Sequence, residues 1–290
     1  TALWRECAAR AEGILMCFTT VSMNYDDAAC QSVMYRIRTQ RPFVYGLTNY
    51  VAATLSANVL LAAGAAPALG AAPGWATGFG GHAGAMWINA AGLINCTAQD
   101  MHDAVTAAQG NGVPWVLDPV AMGARVSQYD AIIRDLAAGG PAAIRGNASE
   151  VMALAGGSAT AKGVETTASI TQALPLAREL ASSRGVIVAI SGPEDHILAP
   201  DGRHVTVPGG DPMLTMVTGM GCALGGLVAA CLAVTPTGPD RLVAVAAAHA
   251  LYARAAEIAA RSAQGTASFA TGFIDALFRL QQTAGPGPSG

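Results

Sequence analysis

The sequence predicts one α/β domain, a doubly wound, mostly parallel sheet with helices on both faces. Three observations carry that prediction. Short, continuously apolar runs recur along the chain, as in strands covered on both faces of a parallel sheet. Longer helix-patterned segments separate them, and the C-terminal third is helical. No Pro/Ser/Gly-rich linker divides the 290 residues and no repeat is evident, so a single domain is expected.

The strands are read in order as "FVYGL" (43–47), "GAMWIN" (84–89), "PWVLDP" (114–119), "AAIRG" (142–146) and "GVIVAISG" (185–192). After them "HILAPDGRHVTVP" (196–208) reads as a hairpin, with "APDGR" as its turn. Helices are expected over 50–63, 97–111, 127–138, 169–183, 222–234, 239–260 and 268–282. Residues 28–283 form the domain, and the "AGPGPSG" tail at 284–290 reads as disordered. Residues 1–27 read as an extension outside the fold. Their apolar stretch "GILMCFTTVSM" is broken by Thr and Ser and followed by Asp26 and Asp27, unlike a signal segment; Met23 would serve as a natural start.

Composition narrows the function classes. The chain is 52% hydrophobic and 12% charged, so much of it is buried in the fold or at subunit contacts. Ala and Gly outnumber Leu and Ile, which suits helices packed closely on a sheet rather than a bilayer span. The net charge is -3 with no Lys/Arg run, which argues against nucleic-acid binding. Lys162 is the only lysine, and "TAKGVE" does not fit a Walker A loop. The six cysteines form no C-x-x-C pair and no zinc spacing with the five histidines, so a reduced, cytoplasmic compartment is the default. His82, His102 and His249 read as isolated surface or packing histidines. "GFGGHAG" (78–84) follows no strand and lacks the later acidic residue of a dinucleotide fingerprint.

In a doubly wound sheet ligands bind beyond the carboxyl ends of the strands. Asp118 ends one strand ahead of Pro119, which holds it extended. It reads either as a carboxylate near Mg²⁺ and phosphate or as a loop-bonding aspartate. Arg145, Asn147 and Glu150 follow the next strand. Arg145 offers a planar fork to phosphate oxygens. Glu150 offers oxygen to Mg²⁺, although Asn147 and Glu150 also form a capping-box variant, and both roles can hold together. Ser191 and Gly192 either contact a nucleotide or make an ordinary strand-to-turn transition. The strongest local signal is "VTGMGC" (217–222), where Gly219 and Gly221 let the backbone curl before a helix whose positive end favours an anion. Cys222 at that helix start is expected to have a lower pKa than a buried thiol and to accept a proton from an alcohol. The alternative is a glycine loop needed only for packing, with Cys222 as filler.

Together "LTNYVAATLSANVLLAAGAAP", "GVPWVLDPV", "AAIRGNASE", "KGVE", "AISG" and "VTGMGCALGG" resemble the hydroxyethylthiazole kinase family, over roughly residues 30–282. The resemblance implies a ribokinase-like fold and a homotrimer with active sites at subunit interfaces. It implies ATP-dependent, Mg²⁺-assisted phosphorylation of the primary alcohol of 4-methyl-5-(2-hydroxyethyl)thiazole, in thiamine salvage. By position it implies that Arg145 and Ser191 contact ATP, with Asn147 and Gly192 beside them. Asp118 and Glu150 then lie near the metal, and Cys222 at the catalytic position with Gly219 and Gly221. Asn49, Gly46, Leu69 and Gly219 line the substrate side. Gly46 stands where the family usually has asparagine, and Leu69 where it usually has methionine. The "GWATGFGGHAGAM" stretch replaces a usually charged helix, which its glycines should weaken by ~1 kcal/mol each. Two rival readings are a hydroxymethylpyrimidine kinase of the same group and a non-catalytic ligand-binding relative.

Overall fold

A computed structural model describes residues 20–157, 169–235, 237–238 and 240–286. The strands in chain order are β1 (Thr20–Ser22), β2 (Phe43–Leu47), β3 (Ala66–Leu69), β4 (Ala85–Asn89), β5 (Trp115–Asp118), β6 (Ala143–Asn147), β7 (Ile187–Ser191), β8 (Asp195–Leu198) and β9 (His204–Val207). The helices are α1 (Ala28–Gln40), α2 (Tyr50–Ala62), α3 (Trp75–Gly80), α4 (Ala98–Asn111), α5 (Ser127–Ala138), α6 (Ala148–Leu154), α7 (Ile170–Arg184), α8 (Met220–Ala233), α9 (Asp240–Ala260) and α10 (Thr266–Thr283).

The strands form one sheet in the order β1-β9-β8-β7-β6-β5-β4-β2-β3. Every pairing among the described residues is parallel except those of β8, which runs against both β7 and β9. The "APDGR" turn therefore closes a hairpin, as expected. All other carboxyl ends emerge along one edge. Helices α1, α2, α8, α9 and α10 cover one face of the sheet, and α3 to α7 supply the core of the other. This is the doubly wound, mostly parallel α/β architecture that the apolar runs predicted. The expected helices all form, with boundaries shifted by no more than two residues.

Local signals explain where helices begin and end. Asn49, Thr97, Asn147 and Ser169 each cap a helix by accepting a backbone N–H. The last three complete reciprocal capping boxes with Asp100, Glu150 and Gln172. Gly112 and Gly185 end α4 and α7 in the left-handed conformation that a side chain would resist.

Helix α9 is long and apolar enough to cross a membrane by length and composition, but most of it is buried in this fold. Its apolar residues meet α1, α8 and α10 instead. Trp87 of β4 shows how the Gly-rich composition works. An added Cβ at Gly46 would lie 2.9 Å from its ring, one at Gly226 3.3 Å away, and one at Gly225 would overlap its indole nitrogen. Three missing side chains make room for one large buried ring, and α8 sits close on the sheet.

Several expectations need correction. Residues 20–27 are not an extension outside the fold. β1 pairs with β9, Met23 and Tyr25 are buried, and the Tyr25 hydroxyl donates to the Leu280 carbonyl at 2.6 Å. A three-residue edge strand is too short to announce itself by pattern. Ala284, assigned to the tail, is buried against the core; residues 287–290, residues 1–19 and the "KGVE" stretch with Lys162 lie outside the described residues. The glycine-rich stretch does carry a helix, α3. There Gly80 lets it touch α4, since a Cβ would stand 2.9 Å from the Ala104 carbonyl. His249 is not isolated: it is fully buried, and its Nδ1 lies 2.6 Å from Asp195 Oδ2.

His204 ties the edge of the sheet together. Its Nδ1 faces the Thr20 hydroxyl at 3.1 Å and its Nε2 faces His196 Nδ1 at 3.0 Å. Burial, then His196 and Arg178, push its pKa down to about 4. The unfolded ring takes a proton as pH falls through its ordinary value of ~6.5, while the folded ring stays neutral until about 4. Its contribution is fully present above pH ~6.5 and is lost as pH falls across that window, by about 1–3 kcal/mol. Asp118, whose folded pKa is raised, acts with the opposite sign. The expected result is therefore a difference: in urea melts at pH 7 and pH 5, His204→Gln loses less stability on acidification than the native chain.

Candidate active site

The carboxyl ends of β2, β4, β5, β6 and β7 meet the start of α8, and the predicted residues converge there. Gly219 caps α8 with φ 91°, and a Cβ would lie 3.2 Å from the Ala52 Cα of α2, so only glycine fits. The first amides of α8, including those of Gly221 and Cys222, have no partner within the helix and form its positive end.

Arg145 links these elements. Its Nη1 donates to the Gly221 carbonyl at 2.8 Å and approaches Asp118 Oδ2 at 3.4 Å, while its Nη2 donates to Ser191 Oγ at 2.9 Å. One guanidinium thus joins three adjacent strand tips to the glycine turn. Asp118 is fully buried, and burial, opposed by the Arg145 charge, raises its carboxyl pKa to about 7. Its Oδ1 has no partner. Burial also raises the Glu150 pKa, opposed by the amides of Asn147 and Ala121. Glu150 Oε2 accepts from Asn147 N at 2.9 Å and Oε1 from Ala121 N at 3.0 Å, so both oxygens already hold backbone. The Gly192 amide is likewise committed, donating to Asp195 Oδ1 at 2.9 Å.

Cys222 departs from expectation. Burial, followed by the Asp118 charge, pushes its thiol up to about 11, so the helix start does not give it a lowered pKa. The helix end supplies only a partial charge, and desolvation outweighs it. Asn89, Arg145 and Asn49 act in the other direction. Asn49 Nδ2 lies 3.7 Å from Cys222 Sγ. Asn89, at the tip of β4, donates from Nδ2 to Asp118 Oδ2 at 3.3 Å and acts to lower the pKa of the Cys222 thiol. Sequence reasoning passed over Asn89. The signal available was a polar residue ending an otherwise apolar run, the same signal that singled out Asp118.

Gly46 and Leu69 lie against each other. An added Cβ at Gly46 would lie 2.6 Å from Leu69 Cδ2 and 2.9 Å from Trp87 Cε3. The leucine is flexible at that atom, but Trp87 is fully buried and cannot yield. Gly46→Asn is expected to destabilise the fold by about 1–3 kcal/mol through overpacking. Urea midpoints measure this, and adding Leu69→Ala should recover only part of the loss.

Among solved structures, the fold matches a ribokinase-like superfamily protein from Enterococcus faecalis V583 with a TM-score of 0.65 at 14% identity, covering 95% of this chain and 99% of that one. A hydroxyethylthiazole kinase from Pyrococcus horikoshii OT3 matches with a TM-score of 0.76 at 29% identity, covering 88% of this chain and 96% of that one. Fold and family profile together define a kinase with the fold of that superfamily protein. The family profile described as "Hydroxyethylthiazole kinase family" matches residues 34–283, and the chain belongs to that family. A hydroxyethylthiazole kinase from Burkholderia pseudomallei (strain 668) is 53% identical over 260 residues, covering 89% of this chain and 92% of the relative. One from Klebsiella pneumoniae (strain 342) is 46% identical over 247 residues, covering 85% and 93%.

Proposed function

We propose that this kinase transfers the γ-phosphoryl group of ATP to the primary alcohol of 4-methyl-5-(2-hydroxyethyl)thiazole, in thiamine salvage. The observation that carries the reading is the placement of Cys222 at the mouth of α8, beside an Arg145 that bonds the same turn. The alcohol oxygen forms the new P–O bond, the bond from the γ-phosphorus to ADP breaks, and the alcohol proton passes to Cys222 in its thiolate form. Charge on the transferring group is met by the first amides of α8 and by Arg145. Phosphoryl transfer relies mainly on positioning and electrostatics, so a weakly populated base is adequate. Ser191, held by Arg145, faces the nucleotide with the neighbouring Asn147 and Gly192. Asn49 and Gly219 border the alcohol, with Leu69 above Gly46.

Mg²⁺ fits this arrangement. Asp118 Oδ1 is a buried oxygen with no partner, and Glu150 supplies a second carboxylate nearby. An ion here would be held by one or two carboxylates and the nucleotide phosphates. Held by Asp118 and Glu150, such an ion would supply positive charge to the phosphate groups.

The assembly is read as a homotrimer with sites at subunit interfaces. Tyr50, Val51 and Ile94 are large, exposed apolar residues beside Asn49, and Tyr50 N donates to Asn95 Oδ1 at 3.0 Å. Covering them would close the site. Cys30, Cys96, Cys222 and Cys231 are free thiols, in keeping with a reduced, cytoplasmic compartment.

A coupled assay with MgATP tests the reading. The thiazole alcohol should support ADP formation with the highest kcat/KM in a panel that includes hydroxymethylpyrimidine and pyridoxal. Preference for the pyrimidine would reassign the substrate, and thiazole binding without turnover would make the chain a ligand-binding relative.

A further inference from the structure

Two asparagines flank Cys222, and each has its amide orientation fixed by a second bond. Asn49 Oδ1 accepts from Ala52 N at 2.8 Å and so caps α2. Asn89 Oδ1 accepts from Ala91 N at 3.1 Å and caps the 3₁₀ turn Ala90–Ile94. An amide whose oxygen is committed to a backbone N–H cannot flip without leaving that donor unpaired, so its NH₂ group must face the other way. For Asn49 that way is the Cys222 sulfur, 3.7 Å from its Nδ2; for Asn89 it is the Asp118 carboxylate beside Cys222, and Asn89 acts to lower the thiol's pKa. Asn89 has two N–H groups, and its Nδ2 donates to Asp118 Oδ2 at 3.3 Å.

The neighbours limit what else these amides do. Both asparagines are buried, Asn89 completely. They leave the tips of β2 and β4, while Cys222 leaves α8, so the contacts bridge three separate elements. A cap alone needs only the side-chain oxygen, which serine or aspartate supplies equally well. The NH₂ groups add something that the caps do not require.

We propose that Asn49 and Asn89 are positioning residues for phosphoryl transfer, whose cap-locked amides hold the Cys222 sulfur as a hydrogen-bond acceptor facing the alcohol and, through Asn89, fix it relative to Asp118. The inference rests on the reading of Cys222 as the proton acceptor. It deepens that reading by assigning what orients the sulfur. N–H donors on the sulfur stabilise the thiolate that takes the alcohol proton and restrict rotation of a side chain that has only one torsion. The bridge from Asn89 to Asp118 then sets the distance between the proton acceptor and the phosphate end of the site.

The test keeps the caps and removes the donors. Asn49→Asp retains an oxygen for Ala52 N, and Asn89→Ser retains one for Ala91 N without adding charge beside Asp118. Each is expected to lower kcat roughly 10- to 100-fold, with little change in ATP dissociation constant or melting temperature. The same two substitutions are then made in a Cys222→Ala background. There they should change kcat by less than about twofold, because the sulfur they act through is gone.

Equal fold losses in both backgrounds would overturn the inference, since a structural or substrate-binding role does not depend on the sulfur. A rise in KM for the alcohol with kcat unchanged would overturn it too. Native kcat in Cys222→Ala alone would sink the proton-acceptor reading and this inference with it. A depressed Cys222→Ala parent with additive losses would sink only the role of the amides. Asn49→Asp stands as the second variant should Asn89→Ser fail to fold, because Asn49 lies at a helix cap, where aspartate is well tolerated.

Discussion

Cys222→Ala is expected to lower kcat by about 10²-fold or more, the ordinary range for a positioned proton acceptor. ATP affinity should change little, because the thiol makes none of the contacts that hold Arg145 or Ser191. The fold should tolerate the change. Cys222 is only partly buried, and its removal leaves the φ of Gly219 and the Arg145 bond to the Gly221 carbonyl untouched. Steady-state kinetics with the thiazole alcohol, paired with calorimetric ATP binding, reads both quantities. A native kcat in this variant would leave the glycine turn and Arg145 as the whole of the catalysis. Cys222 would then be a small residue chosen for packing.

Arg145→Lys is expected to lower kcat/KM for ATP by about 10²- to 10³-fold, as for the loss of a preorganised donor to developing charge. The reason is geometric. Two nitrogens of one planar group reach Gly221 and Ser191 at once, while Asp118 shares the first of them. A lysine ammonium keeps the charge but is a single point on a flexible stem, so it cannot span the turn and the β7 tip together. Arg145→Met goes further and removes the charge. Asp118, with a pKa already raised to about 7 by burial, then takes a proton more readily and escapes part of the penalty. Stability should therefore fall by about 1–3 kcal/mol, less than a buried pair broken with its charge retained would cost. Thermal melts of the two variants separate loss of positioning from loss of charge.

The fold was largely legible in the sequence, because buried parallel strands are continuous apolar runs and the helices carry cap residues. "FVYGL", "AMWIN", "WVLD", "AIRGN" and "IVAIS" are all strands. Asn147 and Glu150 announced α6 as a capping box. Elements with little pattern were missed. β1 has three residues, β3 is a short edge strand containing Pro67, and α1 has mixed polarity along its length. The site was legible to the extent that its residues end strands or open a helix. Asp118, Arg145, Ser191 and Cys222 could be placed by that rule alone, and the structure brings them together. Asn89 obeys the same rule and was passed over, because an asparagine carries no charge to draw attention to it.

The sequence by itself determined the doubly wound sheet, the edge on which the candidate residues lie and the family to which the chain belongs. Those depend on local pattern and on motifs read in order. Only the tertiary structure decided three further matters. It showed that burial outweighs the helix end at Cys222, because desolvation depends on how many atoms pack around the sulfur from distant elements. It showed that Gly46, Leu69 and Trp87 share one volume, because the three strands that carry them pack side by side. It also showed that the amide of Asn49 points at the sulfur and that of Asn89 at Asp118, because their oxygens are already spent on caps. Each of these is a balance between groups far apart in the chain, and no spacing along the sequence records their distance in space.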